Sequence, residues 1–340
     1  MSNLGYFGIV CLLLFILLIS LLTSASIGAV HIPTHDLLHA ALRDRALTET
    51  QSTILLSIRL PRVLASAIVG AALAASGLMF QGLFRNPMAD PYIIGASGGA
   101  AVGACVGIIF LSQLTFFGFS STALLAFVGA VLTMTVVYSL ARVRGRTNGV
   151  TLLLAGFAVG TMLSNSTYLL QLLDPNSSSG TRIVAAWLHG TISVPGWRQL
   201  AITFVLFFLA LIACYPLMRR LNTLALGDEY AQQLGVRVEA TRIAIIITGS
   251  WLTALAVSLG GLISFAGLII PHVIRLLLGP DNVRLLPVTV ISGAIFLVIA
   301  DTLARSIVAP SELPVGILMV FLGGPFFLYL LRKRKKEYAL

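Results

Sequence analysis

Residues 224–236 read LALGDEYAQQLGV, a short polar segment set between two long apolar runs. Gly227 starts a turn. Asp228 and Glu229 follow it, where a helix N-terminus favours negative charge. Ala231, Leu234 and Val238 recur at helical spacing, and Gly235 stands where glycine commonly ends a helix. The spacing predicts a compact amphipathic helix in a loop. Two readings are open from periodicity alone: an ordinary interfacial helix, or a helix on which another molecule docks.

The flanking runs set the fold class. Of 340 residues, 58% are hydrophobic and only 10% are charged, against roughly 25% charged in soluble domains. Such a chain cannot coat a soluble surface of this size. The expectation is an all-α polytopic membrane protein, one transmembrane domain over residues 1–340. The 31 glycines suit helices that approach closely in lipid. Cys11, Cys105 and Cys214 lie inside apolar runs without metal-ligand spacing and read as small apolar fillers. The net charge of +10 sits in short basic clusters beside apolar runs, which fits a membrane-facing charge bias and not nucleic-acid binding. The first run, Phe7–Val30, is too long for a signal-peptide core and has no preceding Lys or Arg, so it reads as an uncleaved span.

A span needs about 20 residues. The runs predict ten, near 7–29, 62–83, 92–111, 118–140, 150–172, 199–218, 240–261, 266–278, 285–304 and 314–331. The eighth is short, and Gly260, Gly261 and Gly267 predict a bend before it. With both termini inside, the inner loops hold an excess of basic residues: Arg85, Arg142, Arg144, Arg146, Arg219, Arg220, Arg237, Arg242, Arg284 and the tail Arg332–Lys336. On that topology Leu224–Val236 faces the cytoplasm. In the outer loop Asp174–Arg198, Pro175–Gly180 reads as a turn, and Val184–Leu188 as a short interfacial helix anchored by Trp187.

Several constellations stand out. Gly95, Gly99, Gly103 and Gly107 recur every fourth residue and predict a packing seam. Thr161, Ser164, Asn165, Tyr168 and Gln171 make a polar stripe on the fifth span. It reads either as interhelical hydrogen bonding or as the lining of a water-filled path. Asp301 and Arg305 can pair on one helix face. Arg59, Arg62 and Arg305 stand at outer ends of spans and would suit a carboxylate-bearing partner, or simply snorkel. His31, His35 and His39 have helical spacing, but Pro33 interrupts them, and they read as loop residues, not metal ligands. No phosphate-binding loop is present, since every Lys lies in the tail at Lys333, Lys335 and Lys336. Midplane carboxylates for ion coupling are scarce. That argues against a stand-alone secondary transporter or channel, and no clustered acid, base or metal site suggests a hydrolase.

Taken together, five stretches resemble the permease subunits of the type II ABC importers for iron chelates and cobalamin. They are IRLPRVLASAIVGAALAASGLMFQGLFRNPMADPYIIGASGGA (Ile58–Ala100), TLLLAG (Thr151–Gly156), LALGDEYAQQLGV, ISFAGLIIPHVIRLLLG (Ile263–Gly279) and ADTLAR followed by ELPVGILMVFLGGPFF (Ala300–Phe327). The resemblance runs from the second span to the tenth. It implies a homodimer or close heterodimer in a bacterial or archaeal cytoplasmic membrane. Two ATPase subunits would bind beneath, holding ATP and Mg, with no cofactor in this chain, and a periplasmic or lipid-anchored binding protein would dock above. Leu224–Val236 would be the coupling helix, with Leu226, Gly227, Asp228, Glu229, Gln233, Leu234 and Gly235 as ATPase contacts. Arg59, Arg62 and Arg305 match rim arginines that meet glutamates of the binding protein. The cytoplasmic gate would fall on Asn86 and Met88 and on Gly149 and Val150; the second pair departs from the small hydroxyl residues of the cobalamin permease. The path would run along the fifth and tenth spans, with Thr161, Ser164, Asn165, Tyr168 and Gln171 on it. Pro271, His272 and Arg275 match a signature of the eighth span and read as structural. The expected cargo is an iron chelate, ferric siderophore or haem, since such systems make up most of the family, with cobalamin as the alternative.

Overall fold

The computed structural model describes residues 3–28, 48–116, 118–143, 146–147, 149–174, 177–308 and 311–337. His31, His35 and His39 lie outside them. Twelve helices are described in chain order: α1 (Asn3–Ser26), α2 (Glu49–Leu83), α3 (Ala96–Phe110), α4 (Ser121–Ala141), α5 (Gly149–Leu172), α6 (Ser177–Leu188), α7 (Trp197–Leu224), α8 (Asp228–Gln233), α9 (Val238–Gly260), α10 (Ala266–Leu278), α11 (Asn282–Ile307) and α12 (Val315–Glu337). Seven of them are long and apolar enough to cross a membrane, and α3, α10 and most of α12 are shorter apolar helices. These correspond one to one with the ten expected runs. Among the described residues there are also two hairpins of two-residue strands, β1 (Thr115–Phe116) with β2 (Phe119–Ser120), and β3 (Arg142–Val143) with β4 (Arg146–Thr147).

α2 is the central post. It packs against α1, α7, α9, α10 and α11, and its Ala and Gly residues let those backbones close in. A Cβ at Gly70 would strike the Gly293 carbonyl of α11, and one at Gly77 would strike Gly267 of α10. In lipid, where apolar contact alone does not drive association, such close packing is the main attraction between helices. The helix starts 13 residues earlier than the expected residue 62. Thr48 and Gln51 form a reciprocal capping box at its start. Pro61 does not end it, because the turn just before, Ile54–Arg59, widens to a π-helix. Proline lacks an N–H and crowds the carbonyl four residues back, and the wider turn makes room for it.

α3, α4 and α5 form a second cluster, joined to α2 through α9. Gly99, Gly103 and Gly107 press on the α4 backbone at Gly129, Leu125 and Thr122, which is the expected seam. Gly95 does not belong to it. Its φ is +79°, it ends the turn Pro91–Ile94, and it faces Gly156 of α5. The loop after α5 also differs from expectation. α6 begins at Ser177, so most of the predicted turn is helical, and Val184 on it packs against Cys105 and Ile108. The bend before α10 is present, with Gly261 at φ +64° and Phe265 at φ +68°.

The bundle has two chemically distinct ends. At one, the end of α7 that leads into α8 is tied to the turn between α10 and α11. Asn222 of α7 donates to Asp281 at 2.7 Å and accepts from the Asn282 backbone at 2.9 Å. Tyr6, near the start of α1, donates to the Arg284 carbonyl there, so α1 begins at this end. The opposite end gathers the last turns of α1 and α11 and the wide turn of α2.

Candidate functional site

α8 forms as its sequence dictates. Gly227 takes φ +121° before it, Asp228 and Glu229 occupy the first turn, and Gly235 at φ +80° closes it. Ala231 is fully buried beneath the helix. Leu226, Tyr230 and Leu234, four residues apart, are each about two-thirds exposed (64%, 64% and 65%). Glu229, Gln233 and Gly235 are exposed beside them, and Gly227 is half-buried. Tyr230 is the member that sequence reasoning missed, although the four-residue spacing from Leu226 was there to find it. Asp228 makes contacts that the sequence did not indicate. It turns toward the bundle and pairs with Arg242 at 2.6 Å and Arg85 at 3.4 Å.

Beside α8 lies a cavity of about 520 Å³ that draws the two gate segments together. Asn86 lines it from the turn after α2, and Gly149 and Val150 from the start of α5; Phe84, Arg85, Thr147, Asp228 and Arg242 share its wall. Asn86 folds its own turn by accepting the Met88 backbone N–H at 3.0 Å. Met88 is half-buried just outside the cavity. A Cβ at Gly149 would reach the Phe84 ring at ordinary contact distance, so the two segments face one another here.

Along α5, Thr161, Ser164, Asn165 and Tyr168 are exposed, and Gln171 is half-buried. Asn165 and Gln171 bond to carbonyls of their own helix, those of Thr161 and Thr167. Among the described residues no hydrogen bond ties the stripe to a neighbouring helix, so the interhelical reading finds no support within this chain. Ser164 instead lines two adjoining hollows of about 510 and 300 Å³, shared with Tyr92 and Ser97. His189, Ser264 and Phe321 line the larger and Thr161 the smaller. Tyr92, His189 and Ser264 escaped sequence reasoning because they lie in turns, where no periodicity marks them. Asp90, in the same turn as Tyr92, is a half-buried carboxylate that caps the Tyr92 N–H at 2.9 Å.

Arg59, Arg62 and Arg305 do converge at the far end, but they are not free on a rim. All three are turned inward. Arg59 donates to the Ala25 and Ser26 carbonyls at 3.0 Å. Arg62 holds Asp301 at 3.1 Å and Glu312 at 2.6 Å, and Arg305 holds Asp301 at 3.0 Å. The expected Asp301–Arg305 pair is thus part of a larger cluster. Sequence spacing could not show that Arg62, 239 residues away, shares the same carboxylate. His272 and Arg275 lie on α10, with the His272 ring edge-on to Phe326 of α12. Among the described residues, no group of three or more His, Cys, Asp or Glu gathers as a metal site.

A family model described as the FecCD transport family matches residues 15–333. The cobalamin import system permease protein of Halobacterium salinarum is 43% identical over 310 residues, 91% of this chain and 81% of that one. The hemin transport system permease protein of Yersinia pestis is 38% identical over 96% of this chain and 95% of its own. A solved metal-chelate type ABC transporter in an inward-facing conformation superposes with a TM-score of 0.81 at 30% identity, covering 98% of this chain and all of that one.

Proposed function

The chain belongs to the FecCD transport family, and from that premise we propose that it carries an iron chelate, a ferric siderophore or haem, through a paired permease driven by two ATPase subunits. It is the membrane-spanning permease subunit of an ABC importer. The observation that carries the partner assignment is the stripe Leu226, Tyr230 and Leu234. Three large apolar side chains stand bare, Tyr230 on α8 and Leu226 and Leu234 at its two flanks, at one end of a membrane bundle. An exposed apolar patch rimmed by polar groups is the mark of a docking surface. In this reading the ATPase covers that stripe together with Glu229 and Gln233, with Gly227 and Gly235 setting the helix ends. ATP and Mg reside in the ATPase, and hydrolysis happens there.

The α8 end faces the cytoplasm, and both termini lie on that side; the excess of inner Arg and Lys supports this orientation. A second copy of the chain, or a close sister, closes the path. Support comes from α5, which leaves Phe157, Met162 and Tyr168 bare, and from α12, which leaves Phe321 and Leu328 bare. Between them lie the hydroxyl-lined hollows, which two copies would enclose as one neutral, polar passage. A binding protein docks over Arg59, Arg62 and Arg305. Solute then descends past Ser164 and Thr161, and the gates at Asn86–Met88 and Gly149–Val150 change state with the ATPase cycle. A ligand can drive such a change only by binding the two states unequally.

Cargo is tested by uptake in cells lacking only this chain, offered labelled ferric siderophore, haem and cobalamin in parallel. Loss of the siderophore or haem signal alone, restored by the intact gene, is the expected result. The 43% identity to a cobalamin permease favours cobalamin as the second reading, and selective loss of that signal would establish it instead. Unchanged uptake of all three would reject both.

A further inference from the structure

The polar contacts around Asp228 form a chain that reaches both gate segments. Its Oδ1 accepts from Arg85 at 3.4 Å, and its Oδ2 from Arg242 at 2.6 Å. Arg85 is the residue next to Asn86, and its guanidinium also donates to the Leu224 carbonyl at the foot of α8. Arg242, one turn into α9, lies 3.9 Å from Glu239. Glu239 in turn accepts from the buried Thr147 hydroxyl. Thr147 belongs to β4, two residues before Gly149. One carboxylate on α8 is therefore linked by one oxygen, through Arg85, to the first gate segment, and by the other, through Arg242, Glu239 and Thr147, to the second.

Two properties suit this chain to motion. Arg85 sits at φ +48°, a conformation that a non-glycine side chain keeps only while its surroundings enforce it. Two of those restraints are its bonds to Leu224 and Asp228, both of which belong to the α8 region. The Asp228 and Arg85 side chains are also about half-exposed, at 41% and 50%. Pairs wetted to that degree break and re-form at little cost. By contrast, the base of α8 is fixed, because Asn222 pins the end of α7 to Asp281 and Asn282.

We propose that Asp228 is a positioning residue that transmits displacement of α8 to both cytoplasmic gate segments, through Arg85 to Asn86 and Met88, and through Arg242, Glu239 and Thr147 to Gly149 and Val150. The proposal rests on α8 being the ATPase-facing helix.

The test uses the complete importer in liposomes with Cys11 replaced by serine. V150C and M88C report each gate through ATP-dependent thiol modification. E239Q and T147V sever only the second arm. Each should abolish the ATP response at V150C, keep it at M88C, and lower solute moved per ATP by about 2- to 30-fold. D228N should abolish the response at both positions, D228E should restore it, and E239Q added to D228N should change V150C no further. A wild-type V150C response in E239Q, or a wild-type response at both reporters in D228N, overturns the proposal. Loss of ATPase copurification in D228N also overturns it, since Asp228 would then be a docking residue. Failure of the α8 reading shows elsewhere: L226E and Y230E would leave ATPase copurification intact.

Discussion

Replacing Asp301 by asparagine changes one atom and should cost more stability than any other single polar exchange at the outer end. The Asp301 side chain is 1% exposed and accepts from Arg62 at 3.1 and 3.3 Å and from Arg305 at 3.0 Å. With Glu312, the cluster holds two guanidiniums and two carboxylates and is neutral. Asn keeps the shape but removes one negative charge and turns an NH₂ toward an arginine donor. The Arg62 and Arg305 side chains are only 9% and 7% exposed, so water cannot replace the lost partner. Removing one member of a buried ion pair costs about 3–5 kcal/mol. Asn keeps one acceptor, which argues for the lower end, about 3 kcal/mol. Glu312 bonds the same Arg62 at 2.6 Å, yet its side chain is 52% exposed, so Glu312→Gln should cost only about 0–1 kcal/mol. Equilibrium unfolding in mixed micelles, followed by fluorescence of Trp187, Trp197 and Trp251, measures both. Adding Arg305→Gln to the Asp301→Asn variant should recover part of the loss, because it removes an uncompensated buried charge. Equal losses for Asp301→Asn and Glu312→Gln would refute the reasoning, since distance alone would then matter and burial would not.

Other outcomes follow from the same contacts. Leu226→Glu or Tyr230→Glu should weaken ATPase capture by at least about 30-fold, as loss of an interface anchor does, with the permease still inserted and folded; copurification measures this. Gly103→Val drives a side chain into the Leu125 backbone and should destabilise the α3–α4 packing by about 1–3 kcal/mol. Gly8→Val on α1 meets nothing within 4 Å and serves as the neutral control in the same unfolding assay. Ser164→Leu and Thr161→Leu should reduce uptake while leaving unfolding unchanged, because both side chains are exposed within this chain. Arg59→Gln should destabilise the outer end in the same unfolding assay, because its buried guanidinium holds the Ala25 and Ser26 carbonyls.

The ten apolar runs and the α8 helix were legible because lipid demands long uninterrupted apolar segments, and a polar interruption between them is conspicuous. The start of α2 was not, because Pro61 normally marks a helix start and its cost here is absorbed by a π turn that leaves no sequence period. Thr147, Glu239 and Arg242 look like unremarkable polar residues near loop ends; only their approach across 92 positions makes them a chain. The arginines were found by residue type and the Asp301–Arg305 pair by its four-residue spacing, while the partners of Arg59 and Arg62 were not. A buried charge needs a partner, and for Arg59 and Arg62 the fold, not the spacing, chooses it.

Burial separates the two polar clusters by what each can do. The outer one, built on Asp301 at 1% exposure, is expensive to open, so it ties α1, α2 and α11 into one unit through any transport cycle. The inner one, built on Asp228 at 41%, exchanges its bonds with water at little net cost. An alternating-access machine needs both kinds. Its two states must lie within a few kcal/mol of one another for a ligand to choose between them, which excludes breaking the buried Arg62–Asp301–Arg305 contacts in every cycle and admits rearranging a wet cluster. Motion should therefore originate at the α8 end and the gates, with the outer ends of α1, α2 and α11 moving as a rigid group. Spin labels across the outer ends of α1 and α11 within one chain should report the same distance with and without ATP. A distance that changes by several ångströms would mean that the buried cluster opens, and that exposure is the wrong guide to which contacts move.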